Sequence, residues 1–240
     1  MEPLPSGEAS QATDIMSAEQ MNPLFIDEEL AVETLGSNFD RLANSMERLG
    51  SSPVFKKGKI ERVCDLGGGT GIVGMWLTKN GRCEFCDVID HAENPLAIGR
   101  IWAERCSLQR ITFTHTSYAA LAASGSHDFD FVFAEHGIDL GYVPKNSELA
   151  DAPGDESEAL FFNRYRELAG AFSGLLRTNG VGLIGGGSPT PDSLSLLCTV
   201  LREHGMIVDW KLSSNEHGLL LYLRPQGRIV FDSPGDEALV

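Results

Sequence analysis

Long apolar runs are missing from this chain of 240 residues: nothing approaches the ~20 consecutive apolar residues that a membrane-spanning helix needs, so no such helix is expected. The opening Met1-Glu-Pro-Leu-Pro has neither the basic start nor the apolar run of a secretion signal, and a cytoplasmic location is expected. Basic residues are scarce. Against 34 Asp and Glu stand 19 Lys and Arg, a net charge of −15, with no local basic patch to offset it. That field repels phosphate backbones, which excludes direct nucleic-acid binding and leaves neutral or cationic small molecules admissible. Cysteines number five, an odd count in a long chain, and fit reduced thiols rather than a disulfide framework. Cys83 and Cys86 form a C-x-x-C, but no second pair follows, so no metal site is expected.

What is present is ordinary globular material, with 42% hydrophobic and 22% charged residues. Residues 1–22, rich in Ser, Glu, Gln, Ala and Pro, read as a flexible N-terminal arm. Residues 23–58 read as a helical cap, with helices predicted over Asp27 to Leu35 and Asn38 to Leu49 and with Gly36 and Gly50 as their stops. Either packing against a sheet or covering a ligand would account for them. Residues 59–225 carry alternating strand and helix patterns, and 226–240 form a polar tail.

The most informative stretch is Arg62-Val-Cys-Asp-Leu-Gly-Gly-Gly-Thr-Gly-Ile-Val-Gly. Val63 to Leu66 reads as a buried strand, Gly67 to Gly71 as a turn, and Ile72 to Lys79 as a helix. The glycines therefore sit at a strand-to-helix junction, where backbone can approach a ligand closely and first-turn N–H groups face it. As G-x-G-x-x-G the match is Gly69, Gly71 and Gly74, which points to a dinucleotide. A carboxylate as near as Asp65 would repel a pyrophosphate.

As apolar-apolar-Asp-Leu-Gly-x-Gly-x-Gly, the stretch resembles the first motif of the class I S-adenosylmethionine-dependent methyltransferases, with Asp65, Gly67, Gly69 and Gly71 in place. The resemblance covers roughly Ile60 to Pro225. It implies an α/β, doubly wound, mostly parallel seven-stranded sheet with a C-terminal antiparallel hairpin strand, preceded here by N-terminal helices. It also implies S-adenosyl-L-methionine as methyl-donor cosubstrate, held by Asp65, Gly67, Gly68, Gly69 and Gly71. An acidic residue ending the second strand accepts the ribose hydroxyls. Asp90, 25 positions after Asp65, is assigned that role ahead of Asp87. Where the family places an acidic residue beside the adenine, this chain has Ser117 and then Tyr118, a hydroxyl and a ring able to flank the purine. A capping role for Ser117 is the alternative.

The strand around Phe129, Phe131 and Phe133 ends in Ala134-Glu135-His136, where the resemblance places the chemistry. His136 is the candidate base for a hydroxyl or phenol, and Glu135 a candidate contact to the cofactor or to an ammonium group. The Asn/Asp-Pro-Pro-aromatic signature of nucleic-acid and glutamine methylators is absent here. The expected reaction is methyl transfer to a small-molecule acceptor at O or N, with cationic acceptors included. Two alternatives stand beside it: a polyamine-synthase-like aminopropyltransferase, and a non-catalytic binding or regulatory protein of the same fold. Asp139 to Glu158 reads as an acidic loop, Arg177-Thr-Asn-Gly180 as a turn into strand Val181 to Ile184, and Met206 to Ser213 and Leu219 to Leu223 as the closing strands.

Overall fold

The computed structural model describes residues 21–126, 128–135, 154–185, 191–211, 213 and 219–223. The expected N-terminal arm before Met21, His136, residues 139–153 of the acidic loop and the tail after Leu223 lie outside the described residues, while the last residues of that loop, from Gly154 to Glu158, are helical. A 3-10 turn at Asn22–Phe25 comes first, then the helices α1 (Glu28–Ser37) and α2 (Phe39–Ser51) and a second 3-10 turn at Pro53–Lys57. Strand β1 (Ile60–Leu66) leads to α3 (Ile72–Lys79), β2 (Cys83–Asp90) to α4 (Glu93–Arg105), and β3 (Ile111–His115) to α5 (Tyr118–Ser124). Then come β4 (Phe129–Ala134), α6 (Gly154–Leu175), β5 (Leu176–Ile184), α7 (Pro191–Glu203), β6 (Met206–Val208) and β7 (Leu219–Leu223).

Five strands run parallel in the order β3-β2-β1-β4-β5, the mostly parallel α/β sheet that was expected. Beyond β5, the backbone of β7 pairs antiparallel with β5 and that of β6 with β7. The chain winds outward from β1 through β2 to β3, then crosses back to β4 on the other side of β1. That reversal lies at the carboxyl ends of β1 and β4, the place where open α/β sheets receive ligands in a crevice.

A parallel sheet is covered on both faces, and alternate residues of each strand feed separate cores. Phe131, Phe133, Val63, Val88 and Leu183 pack with Leu49 and the apolar side of α3 in one core. Cys64, Leu66, Val132 and Ala134 pack with Leu168, Phe172 and Leu197 in the other. Phe129 breaks the alternation and lies in the second core, because the ladder shifts register there. Phe129 stands opposite Leu176, but Phe131 stands opposite Val181. The intervening Arg177 to Gly180 therefore bulges out of β5, with Asn179 at φ 68°. The predicted turn exists, built into a continuous strand instead of preceding a shorter one.

The expected glycine stops do not end their helices. Gly36 lies within α1 and Gly50 within the last turn of α2. At Gly50 the reason is packing, since a methyl group there would come within 3.2 Å of the Trp76 ring. The N-terminal helices are fastened to the domain by polar contacts as well: Asn94 N–H donates to the Asn22 side chain at 2.9 Å, and Trp102 Nε1–H and the Arg105 guanidinium both reach Glu28.

Candidate functional site

The glycine turn is built from the end of β1 outward. Gly67, Gly69 and Gly71 have φ of 72°, 55° and 67°, values that a residue with a Cβ adopts only with strain. Gly71 is also sterically fixed, because a methyl there would stand 2.6 Å from Val88 Cγ2. One added at Gly67 would stand 2.5 Å from the Tyr118 hydroxyl, which therefore hangs over the first glycine of the turn. Gly68 lies against the Asp65 carboxyl.

Most N–H groups of the turn are already paired within the protein. Gly67 and Gly68 donate to Ile89 O, Gly71 to Gly68 O, and Gly69 to Asp90 Oδ2 at 2.8 Å. Gly74, in the first turn of α3, donates to Asp65 Oδ2 at 3.0 Å. Asp65 thus caps a helix from the strand before it, a favourable position for a negative group at a helix N-terminus. It is 3% exposed. Burial pushes its pKa up from 3.8 to about 7; the Gly74 bond pulls the other way, and the charges of Glu135 and Asp90 add to the rise.

Asp90 closes β2 beside the turn. Its Oδ2 accepts from Gly69 N–H, its Oδ1 accepts from Ala92 N–H at 2.8 Å, and His91 Nδ1 lies 3.3 Å from Oδ1. Oδ2, with one partner, keeps a second lone pair able to accept from a ligand hydroxyl, whereas Oδ1 already has Ala92 N–H and the His91 ring beside it. Asp87, by contrast, sits three residues back along the strand, opposite Cys64 and Thr112. It binds Arg62 at 2.8 Å and Thr112. Asp90 thus lies beside the glycine turn, and Asp87 belongs to an ion pair within the sheet.

Ser117 is the N-cap of α5, its Oγ accepting from Ala120 N–H at 3.2 Å. Tyr118, next to it, packs against the core of the α6 face. Burial raises the pKa of its phenol, and the charges of Asp90, Cys64 and Asp65 raise it further, so it stays a neutral hydroxyl.

At the end of β4, Glu135 meets a residue that sequence reasoning did not single out. Arg48 Nη2 of α2 lies 2.7 Å from Glu135 Oε2, with side-chain exposures of 17% and 9%. The pair is end-on. Among the described residues, Arg48 Nε and Glu135 Oε1 are buried without a hydrogen-bond partner. Oε1 lies against Gly185, where a methyl would come within 2.8 Å of it. The N-terminal helix that carries Arg48 therefore packs, through Leu49 at 0% exposure, and brings Arg48 to the end of β4.

The donor set bears on what could be held here. The turn offers few free N–H groups and borders two carboxylates, a poor cradle for a pyrophosphate and a suitable one for a cation with ribose hydroxyls. Cys83 and Cys86 are buried, and the described residues contain no cluster of three or more metal-ligating side chains.

No family model matches the chain, and no curated protein sequence does. Solved structures do. A chain in the complex of the Haloferax volcanii Trm112 methyltransferase activator with a candidate methyltransferase superposes with a TM-score of 0.54 at 13% identity, over 79% of this chain and 77% of that one. A ribosomal protein L11 methylase of Lactobacillus delbrueckii follows at 0.49 and 17%, over 76% and 77% of the two chains. A TehB-like SAM-dependent methyltransferase of Corynebacterium glutamicum gives 0.46 and 14%, over 81% and 97%. The first of these carries the argument, and what it establishes is architecture: this chain has the α/β fold that the resemblance to class I S-adenosylmethionine-dependent methyltransferases implies.

Proposed function

We propose that the protein is an S-adenosylmethionine-dependent methyltransferase acting on a small-molecule acceptor. The observation that carries this reading is the glycine turn at the β1/β4 crevice, whose N–H groups are mostly paired internally and whose neighbours are the carboxylates Asp65 and Asp90. A sulfonium nucleoside suits that arrangement, and a phosphorylated carrier does not. Asp90 holds the ribose, the backbone of Gly67 to Gly71 lines the nucleoside, and Tyr118 flanks the purine. The seven-stranded, hairpin-ended form of the sheet belongs to the same reading.

The bound sulfonium supplies an electrophilic methyl group; the chain's own residues orient the acceptor in line with it and exclude water. Alignment of this kind can lower a barrier by on the order of 7–11 kcal/mol without a strong base. His136, outside the described residues, is the candidate to take a proton from an acceptor hydroxyl. The aminopropyltransferase alternative needs a free carboxylate to steer an amine, and Glu135 is already paired with Arg48. Methyl transfer therefore stands ahead of it.

Calorimetry with S-adenosylmethionine, its demethylated product and NAD tests the reading. The first two are expected to bind and NAD to be silent, and Asp90→Ala should weaken nucleoside binding at least tenfold. Failure of both sulfur nucleosides to bind would overturn the proposal. An unchanged affinity in Asp90→Ala would overturn the ribose assignment alone.

A further inference from the structure

Glu135 was expected to offer its charge to a cofactor or an ammonium ligand. In the folded chain that charge already faces one, the Arg48 guanidinium brought from 87 residues away. Arg and Glu usually meet as a fork, with two parallel bonds that saturate the near edge of each group. Here one bond forms, between Nη2 and Oε2 at 2.7 Å, and the adjoining Nε–H and Oε1 are left over. Leaving such groups buried and unpaired is costly, and a closed fork would relieve it. The single-bonded geometry thus leaves one donor on Arg48 and one acceptor on Glu135 buried and unpaired, on a pair of opposite charges at the carboxyl end of β4.

We propose that the Arg48–Glu135 pair is a ligand-recognition element of the crevice, selecting acceptors by an uncharged group that carries a hydrogen-bond acceptor next to a donor, as an amide does. The ligand's carbonyl oxygen takes the Arg48 Nε–H, and its N–H donates to Glu135 Oε1. A cation brought to Oε1 would meet the Arg48 charge beside it, and an anion brought to Nε would meet that of Glu135. The glycine at 185 keeps Oε1 clear of a side chain. The inference rests on the methyltransferase reading only for the word acceptor; the binding element itself is independent of it. It names the handle by which a molecule is gripped, and the atom methylated is a separate matter.

Nuclear magnetic resonance of the full-length protein labelled with 15N-arginine reads the Nε–H of Arg48 directly, the resonance being identified by its loss in Arg48→Lys. The probes are acetamide, acetate and methylammonium at equal ionic strength. Acetamide is expected to move the Arg48 Nε–H signal saturably, with a dissociation constant on the order of millimolar, as suits so small a ligand. The two ions should move it at least tenfold less effectively. Glu135→Gln should weaken the acetamide response at least tenfold. Arg48→Met leaves the carboxylate alone and should exchange the preference, so that methylammonium binds and acetamide does not; that gain is readable by calorimetry even if Glu135→Gln fails to fold. An acetamide-silent Arg48 signal, or ions binding as well as acetamide, overturns the proposal. Nucleoside calorimetry on the same sample keeps the two readings apart: nucleoside bound with acetamide silent removes this inference alone, and acetamide bound without nucleoside removes the methyltransferase reading alone.

Discussion

The carboxyl ends of β1 and β4 lie next to each other in the sheet, and each presents a buried carboxylate, yet the two are used differently. Asp65 is bound within its own strand-turn-helix unit, nine residues from its donor Gly74. Glu135 is held by a residue 87 positions away on a helix that precedes the sheet in the chain, and an acceptor atom is left over. The first arrangement is a scaffold closed on itself. The second is an open junction, and polar groups that are left incomplete are where a ligand gains the most by binding.

The largest effect expected from this contrast is a pH dependence at the closed end. Asp65 has a folded-state pKa of about 7 against an ordinary 3.8, raised chiefly by burial. A carboxyl group raised in this way holds its proton longer in the folded protein than in the unfolded one. Its stabilising contribution is complete below pH 3.8, is lost as pH rises to about 7, and is constant above that. At about 1.4 kcal/mol per pH unit, the loss from this one group is on the order of 4 kcal/mol. Denaturant titrations at about pH 4.5, 6 and 7.5 should therefore show this slope in the wild type and a flatter curve in Asp65→Asn. Identical slopes in the two proteins would mean that Asp65 is not buried in this way, and the contrast with Glu135 would disappear.

A smaller effect separates the glycines at the two ends. Ala at Gly71 meets both a left-handed backbone and the fixed Val88 side chain. The backbone strain is about 1–2 kcal/mol and overpacking adds about 1–3, so Gly71→Ala should destabilise by about 3 kcal/mol in urea unfolding. Ala at Gly185 meets only the far end of the Glu135 side chain, which can turn aside. Gly185→Ala should cost under about 1 kcal/mol and should disturb the Arg48 resonance. Equal costs at the two positions would show that the β4 end is as rigid as the β1 end.

The same contrast explains what could be read from the sequence. Asp65, its glycines and α3 lie within fifteen residues of one another, so local rules of strand, turn and helix suffice, and the helix start at Ile72 was placed to the residue. Asp90 was legible as the end of a strand, whereas the pairing of Asp87 with Arg62 and Thr112 depends on the register of neighbouring strands. Arg48 was not legible. It is one charged residue on an amphipathic helix, and no local pattern states which strand end that helix will cross. Gly50 misled for a related reason: glycine in a helix costs only about 1 kcal/mol relative to alanine, and its contact with Trp76 is made across the fold. Glu135 was singled out by its place at the end of a strand, but its pairing with Arg48 was not legible.

An effect on stability close in size to that at Gly185 is expected at Ser117, where two roles for one hydroxyl can be told apart. Its Oγ accepts from Ala120 N–H and starts α5, a helix of seven residues. Removing an N-cap hydroxyl costs about 1 kcal/mol, and Ser117→Ala should lower stability by that amount. If the hydroxyl serves only as a cap, nucleoside affinity should stay within about twofold of the wild type, because the folded turn and Tyr118 are unchanged. If it also bonds the adenine, affinity should fall by roughly five- to tenfold, the equivalent of one neutral hydrogen bond of about 1 kcal/mol. An aspartate in its place would restore the cap and add an acceptor of stronger charge, so Ser117→Asp sharpens the choice: a purely structural site should recover stability and leave binding alone, whereas a site beside the purine should recover stability and bind the nucleoside more tightly than the wild type.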